Sequence, residues 1–254
     1  MNVKLSQRLQ MIADQVPKGS RIADIGSDHA LLPTYLAQSG VISFAIAGEV
    51  NPGPLQAATK QVKEAGLSSV IDVRGGNGLA VISPGEVDVI TIAGMGGALI
   101  VTILDEGKDK LEGVTCLILQ PNVGEEFVRR WLYEQDWLLE AETILEEDGK
   151  IYEILKVVKV RDAKEVNQSL YAERMLTQAV ALDKRRLMQM GPYLVQAAPQ
   201  VWFRKWDSEL VKLEMIRAQL ANSSAEASIA KSEAIAKEIH EIKEVLACLQ
   251  KDKR

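Results

Sequence analysis

Five short apolar runs, at about 21–25, 43–48, 70–73, 87–92 and 114–119, recur along the first half of the chain, with helical stretches around 29–39, 52–65, 96–106 and 124–134 between them. Such alternation predicts an α/β fold, a parallel sheet whose strands are joined by right-handed helical crossovers. Ahead of the first run, Leu5, Leu9, Ile12 and Ala13 stand at helical spacing before Pro17-Lys-Gly-Ser20 breaks the pattern. An opening helix that covers the sheet is expected there.

The rhythm changes after the fifth run. Trp137–Leu145 and Ile151–Val160 both read as strands, and Glu146-Glu-Asp-Gly-Lys150 makes a tight connection between them. An antiparallel hairpin should therefore close the sheet. Beyond Arg161 the pattern turns helical. Leu176, Ala179, Val180, Leu187 and Met190 mark one helix, stopped by Gly191-Pro192; Trp206, Leu210, Leu213 and Leu220 mark a second. Ile235, Ile239, Ile242, Leu246 and Leu249 mark a third, with four-three alternation. Asn222–Ser228 joins the last two, so they are expected to fold back as an antiparallel coiled coil, each arm about 22 residues and roughly 33 Å long. The expected domains are 1–161, carrying the sheet, and 162–254, all helical and projecting.

Composition excludes several classes. No apolar run has membrane length and the N-terminus lacks a signal peptide, so a cytoplasmic protein without membrane association is expected. The two cysteines, Cys116 and Cys248, supply neither a disulfide framework nor a metal site, and His29 and His240 lack ligand spacing. No metal is expected. Residues 1–161 hold 15 Lys and Arg against 22 Asp and Glu, net −7, whereas 162–254 hold 15 against 13, net +2. The overall charge of −5 argues against indiscriminate nucleic-acid binding, while the second half leaves room for a local basic face.

The chemistry concentrates where strands end. Ile22-Ala-Asp-Ile-Gly-Ser-Asp-His-Ala-Leu-Leu-Pro33 reads as a buried strand, a glycine turn at Gly26 and a helix start, with Asp24 and Asp28 at the turn. A dinucleotide fingerprint would need G-x-G-x-x-G, and only Gly26 is present. Carboxylates suit a cationic adenosine cofactor better than a pyrophosphate. S-adenosylmethionine, with its ammonium, sulfonium and ribose diol, has that chemistry, and a closing antiparallel hairpin is a habit of the sheets that bind it. Glu49 ends the second strand 23 positions after Gly26, placed to accept both ribose hydroxyls; a solvated strand-end carboxylate is the alternative. Asn77, in Arg74-Gly-Gly-Asn-Gly-Leu79, offers an amide oxygen to an adenine amino group, or else Asn77-Gly78 serves a turn of positive φ.

Strand four ends in Thr91-Ile-Ala-Gly-Met-Gly-Gly97, where Ala93, Gly94 and Met95 give a flat, soft surface; close packing explains one such glycine more readily than three. Strand five delivers Gln120-Pro121-Asn122 to the same edge. Amino-directed adenine methyltransferases place a polar-Pro-Pro-aromatic segment at this point; here one proline and the polar groups remain, without the aromatic residue. Candidate cofactor contacts are thus Asp24, Gly26, Asp28, His29, Glu49 and Val50, with Asn77, Gly78, Ala93, Gly94 and Met95 beyond them. Candidate catalytic residues are Gln120, Pro121, Asn122 and Asp28.

Together the segments D-I-G-S-D-H-A-x-L-P (24–33), A-G-E-V-N-x-G-P (47–54), G-N-G-L (76–79), I-A-G-M-G-G (92–97) and L-Q-P-N (119–122) resemble the bacterial tRNA (adenine-22-N1)-methyltransferases, with the helical tail matched in kind. The resemblance implies a Rossmann-like class I methyltransferase sheet, S-adenosylmethionine as donor and N1 of a tRNA D-loop adenine as acceptor. It places Asn77 where the family often carries Asp, keeping the acceptor oxygen and losing its charge. For the tRNA partner, Lys184-Arg185-Arg186 with Arg174, Arg204 and Lys205 forms the candidate grip, unless that run is an ordinary solvated face. No obligate protein partner is evident. The competing readings are a methyltransferase of another substrate with a dimerising coiled coil, and a non-catalytic Rossmann-like binding module.

Overall fold

The computed structural model describes residues 3–178, 180–221 and 225–251. Two compact units are present, Met1–Ser169 and Leu170–Arg254. The boundary falls eight residues later than the expected one after Arg161, because the helix that follows still belongs to the first unit: Asn167 Nδ2 donates to the Trp137 carbonyl at 2.7 Å.

The first unit runs α1 (Gln7–Ala13), β1 (Ser20–Ile25), α2 (Leu31–Gln38), β2 (Ile42–Glu49), α3 (Pro52–Glu64), β3 (Ile71–Gly75), β4 (Val89–Gly96), α4 (Gly97–Glu106), β5 (Cys116–Val123), α5 (Glu125–Glu134), β6 (Leu138–Glu147), β7 (Lys150–Val158) and α6 (Ala163–Leu170). Its sheet has the order β3-β2-β1-β4-β5-β7-β6. The first five strands are parallel and β7 pairs antiparallel with both β5 and β6, so the hairpin closes one edge as expected. In β1 only Arg21 is exposed, as a parallel strand covered by helices on both faces requires. Ile12 of α1 shares a core with Ile22, Leu36, Ile118 and Ile154, which confirms that the opening helix covers the sheet. Arg129 of α5 lies fully buried between Glu142 of β6 and Glu153 of β7, tying that helix to the hairpin.

Two boundaries differ from the sequence expectation near the site. The stretch from Asp28 to Ala30 is a single tight turn in which His29 (φ 57°) and Ala30 (φ 50°) are left-handed, and regular helix begins only at Leu31. Strand β5 continues through Gln120, Pro121 and Asn122, expected beyond it, because β4 also continues and pairs Met95 with Pro121 and Gly96 with Val123.

The second unit contains β8 (Arg174–Met175), β9 (Ala181–Leu182), α7 (Lys184–Met190), α8 (Pro192–Ala197), α9 (Gln200–Leu220) and α10 (Glu226–Lys251). The helix expected from Leu176 to Met190 is corrected. Leu176 N donates to the Val180 carbonyl at 2.8 Å in the turn of a small β8–β9 ladder, and Ala179 lies outside the described residues. Helix begins after Asp183, whose carboxylate accepts from Arg186 N at 2.7 Å and so acts as an N-cap. Helices α9 and α10, 21 and 26 residues long, pack on each other, with Lys243 Nζ donating to Glu214 at 2.7 Å. Of the expected linker Asn222–Ser228, residues 222–224 lie outside the described ones and Glu226–Ser228 are helical.

Candidate active site

The strand order reverses between β1 and β4, and crevices of open α/β sheets form outside the carboxyl ends of strands at such a point. Every candidate residue of the first unit lies at that edge. After β1 the chain turns on Gly26 (φ 73°), and the amides of Gly26 and Ser27 both donate to the Gly48 carbonyl of β2 at 2.9 Å. A Cβ on Gly26 would stand 2.2 Å from Met95 Cε, so the side chain at the end of β4 lies directly on the glycine turn. The positive φ favours glycine here, and any larger residue would displace the end of the Met95 side chain.

Asp24 is buried beneath this turn rather than on its rim, and Thr91 donates to its Oδ1 at 2.6 Å. Burial pushes its carboxyl above the usual range, opposed by the hydroxyls of Ser27 and Thr91 and by the charge of Arg8. Asp28 and His29 are exposed on the turn, with His29 Nε2 3.4 Å from Asp28 Oδ1. Glu49, the last residue of β2, is almost buried; its Oε1 accepts from Asn51 N at 2.8 Å and Asn51 Nδ2 at 3.1 Å. That carboxylate is thereby held in one orientation, which excludes the solvated strand-end reading. Val50 beside it is exposed.

After β3, Arg74 bonds Asp72, Glu86 and the Val81 carbonyl, fixing the loop that carries Asn77. Asn77 is exposed with φ −90°, so Gly78 (φ 54°) alone supplies the positive angle. The glycines at the end of β4 and the start of α4 have separate causes. Gly94 has φ 77°, and a Cβ on Gly97 would lie 2.1 Å from the Gly124 carbonyl oxygen, whereas Gly96 meets only Val123 at 4.0 Å.

At the end of β5, Gln120 is fully buried and both ends of its amide are engaged. Its Oε1 accepts from Arg8 Nη1 at 2.5 Å and Gly94 N at 3.1 Å; its Nε2 donates to the Pro121 carbonyl at 2.9 Å and Asn122 Oδ1 at 3.1 Å. Asn122 is exposed, and its Nδ2 donates to the Gly94 carbonyl at 2.8 Å. Gln120 is therefore corrected from a substrate contact to an internal support, since burial leaves no polar edge to offer. Asn122 remains at the surface of the site, whereas Pro121 is buried and its carbonyl takes the Gln120 amide.

The sequence reading missed Asn51, Thr91 and Arg8. Asn51 lies inside a motif two positions from Glu49 and was legible there, whereas Thr91 meets Asp24 from 67 positions away. Arg8 sits 112 residues from Gln120 and carries no local signal.

In the second unit the expected basic cluster divides. Arg186 is buried, its guanidinium against Glu238, Glu241 and Gln189, and Arg185 pairs with the same two glutamates. Arg174 is half-buried and donates to the Pro192 carbonyl at 3.3 Å; burial holds its guanidinium pKa below the ordinary value. Arg186 is thus a structural cation, because an ion taken out of water must find internal partners. Lys184 and Arg204 are exposed and Lys205 is half-exposed.

Among the described residues no cluster of His, Cys, Asp and Glu could hold a metal, and no helix is long and apolar enough to cross a membrane. The donor set does fit S-adenosylmethionine. An acid held at the end of β2, a glycine-only turn, a soft thioether over that turn and an exposed amide on the third loop match a diol, an amino acid and a purine.

A family model described as TrmK, tRNA (adenine(22)-N(1))-methyltransferase, matches residues 22–244. A tRNA (adenine(22)-N(1))-methyltransferase of Bacillus subtilis (strain 168) is 44% identical over 246 residues, covering 96% of this chain and 98% of its own. The crystal structure of the B. subtilis tRNA methyltransferase TrmK superposes with a TM-score of 0.85 at 43% identity, over 96% of this chain and 99% of that one. A Streptococcus pneumoniae protein solved in complex with S-adenosyl-L-methionine superposes with a TM-score of 0.78 at 40% identity, over 96% and 100% of the two chains. With the family match running from β1 into α10 and a 44% identical relative matched over nearly the full length of both chains, this chain belongs to the tRNA (adenine(22)-N(1))-methyltransferase family.

Proposed function

We propose that this protein transfers the methyl group of S-adenosylmethionine to N1 of adenine 22 in the D-loop of tRNA. The observation that carries the reading is the meeting of two sites at one edge. The Gly26 turn, covered by Met95, carries the donor functions, and Gly94, one residue before Met95, is bonded to the Asn122 amide that faces the acceptor.

Glu49 accepts the ribose hydroxyls, its orientation set by Asn51. Asn77 meets the adenine amino group of the donor, Val50 and Met95 contact its apolar faces, and Asp28 with His29 holds the methionine end. When bound, S-adenosylmethionine supplies an electrophilic methyl group. The acceptor N1 has an in-plane lone pair and is largely unprotonated at neutral pH, so no side chain need act as a strong base. The residues serve to align the reacting atoms, which can be worth about 7–11 kcal/mol of barrier. Asn122 Oδ1 accepts from the exocyclic amino group, whose hydrogens become more acidic as positive charge moves to the base.

Unstacking the target base costs a few kcal/mol, which contacts elsewhere on the tRNA must offset. The helical unit, with Lys184, Arg204 and Lys205 at its surface, is assigned to that grip. The test is nucleoside mass spectrometry of a tRNA incubated with the protein and deuteromethyl donor, beside the same tRNA with guanine at position 22. Labelled 1-methyladenosine in the first alone is expected; equal labelling of both would overturn the position, and none in either would overturn the activity.

A further inference from the structure

The amide of Gln120 has one acceptor end and one donor end, and only one of its two orientations fits its surroundings. The Gly94 N–H and the Arg8 guanidinium both donate, so both must face Oε1. The NH2 end then points to the Pro121 carbonyl and Asn122 Oδ1, and Asn122 in turn presents Nδ2 to the Gly94 carbonyl. Gly94, Gln120 and Asn122 thus form a closed ring of amides across the ends of β4 and β5.

Arg8 is the charged member that reaches this ring from α1. Its backbone amide and that of Gln7 donate to the Glu147 carboxylate at 3.2 and 2.5 Å, and its guanidinium stands 5.4 Å from the centre of the Tyr152 ring. The arginine is therefore itself held by the ends of the β6–β7 hairpin. A bond from an ionised donor is about twice as strong as a neutral one, so this contact biases the direction of the whole ring.

We propose that Arg8 is a positioning residue for the methyl acceptor: by fixing which end of the Gln120 amide faces Asn122, it fixes which edge Asn122 offers to the base. This deepens the reading of function above and rests on it. The ring uses one of the two lone pairs on Asn122 Oδ1 and one of the two Nδ2 hydrogens. The second lone pair matches the amino group next to N1 of adenine. A reversed amide would present hydrogens to that amino group and push the base out of line.

The test uses the full-length protein with Arg8→Met, Arg8→Lys and Gln120→Glu, measuring donor affinity by calorimetry and the single-turnover rate on tRNA at saturating donor. Arg8→Met should keep donor affinity within about two-fold of the parent and lose about ten-fold or more in rate, the scale of one charge-assisted hydrogen bond. Arg8→Lys, which keeps a charged donor, should recover part of the rate. Gln120→Glu keeps both contacts at Oε1 and removes both donations to Pro121 and Asn122, so it should lose rate with Arg8 intact. An unchanged rate in Arg8→Met with an active parent would overturn the proposal and leave the function standing. Equal rate loss in Arg8→Met and Arg8→Lys, accompanied by lost donor affinity, would also overturn it, as a mere structural role. A parent that methylates no tRNA would sink the function itself and this inference with it.

Discussion

Replacing Arg186 with methionine separates the structural account of the basic run from its reading as an RNA grip. The Arg186 side chain is 3% exposed, and its guanidinium meets Glu238 at 2.8 Å and Gln189 at 2.6 Å, with Glu241 on its other nitrogen. Removing one partner of a fully buried ion pair costs about 3–5 kcal/mol. Here the two carboxylates are 21% and 30% exposed and keep Arg185, which is 51% exposed, so they can rehydrate and re-pair. The expected loss falls to about 2 kcal/mol, which lowers the Tm of a chain this size by about 4–8 °C. Lys184→Met, on the exposed face, should stay within about 0.5 kcal/mol of the parent.

Thermal unfolding by circular dichroism at several pH values is the assay, with tRNA binding measured across salt on the same samples. Burial pushes the Glu238 carboxyl up, but the Gln189 amide and the guanidinium groups of Arg186 and Arg185 outweigh it and hold its pKa below the ordinary 4.5. A folded pKa below the unfolded one means a contribution complete above pH 4.5 and lost as pH falls through the lower folded value. The gap between parent and Arg186→Met should therefore narrow in acid. An Arg186→Met variant that melts with the parent while its tRNA affinity falls and its salt slope drops by about one would instead make this arginine a phosphate contact.

Glu49→Ala should weaken S-adenosylmethionine binding about 10- to 100-fold by calorimetry, the scale of hydrogen bonds to a charged acceptor, and NAD should not bind to parent or variant. Asp24→Asn should melt at or above the parent without donor, because the folded carboxyl has a raised pKa; its contribution is present below the ordinary 3.8 and lost as pH rises through the folded value. The same variant should bind donor more weakly, and a lower Tm at neutral pH would count against the burial argument. Gly97→Ala forces a Cβ to 2.1 Å from a backbone oxygen and should destabilise by about 1–3 kcal/mol, while Gly96→Ala, with only an ordinary 4.0 Å contact, should melt near the parent. Asn122→Ala should depress single-turnover rate far more than donor affinity, and an unchanged rate would remove Asn122 from the reaction.

What the sequence determined by itself is what short-range pattern encodes. Apolar runs alternating with helical stretches specify the parallel strands, Gly26 marks the turn after the first of them, and Glu49 follows at the spacing set by one crossover. Gly191-Pro192 stops a helix for equally local reasons. The tertiary structure decided the partners of charges and amides, because a side chain's type does not say which distant group it will meet. Arg186 reads as a free cation until α10 brings Glu238 and Glu241 onto it from 52 and 55 positions away. Gln120 reads as a substrate contact until Arg8 arrives from α1 and the prolonged edge of β4 buries it. The apolar spacing from Leu176 to Met190 fits a helix in isolation, but the backbone pairing of β8 with β9 and the Asp183 cap compete for the same residues. Periodicity fixes which residues face inward; long-range hydrogen bonds and ion pairs, which only the folded chain can bring together, fix which of them can act.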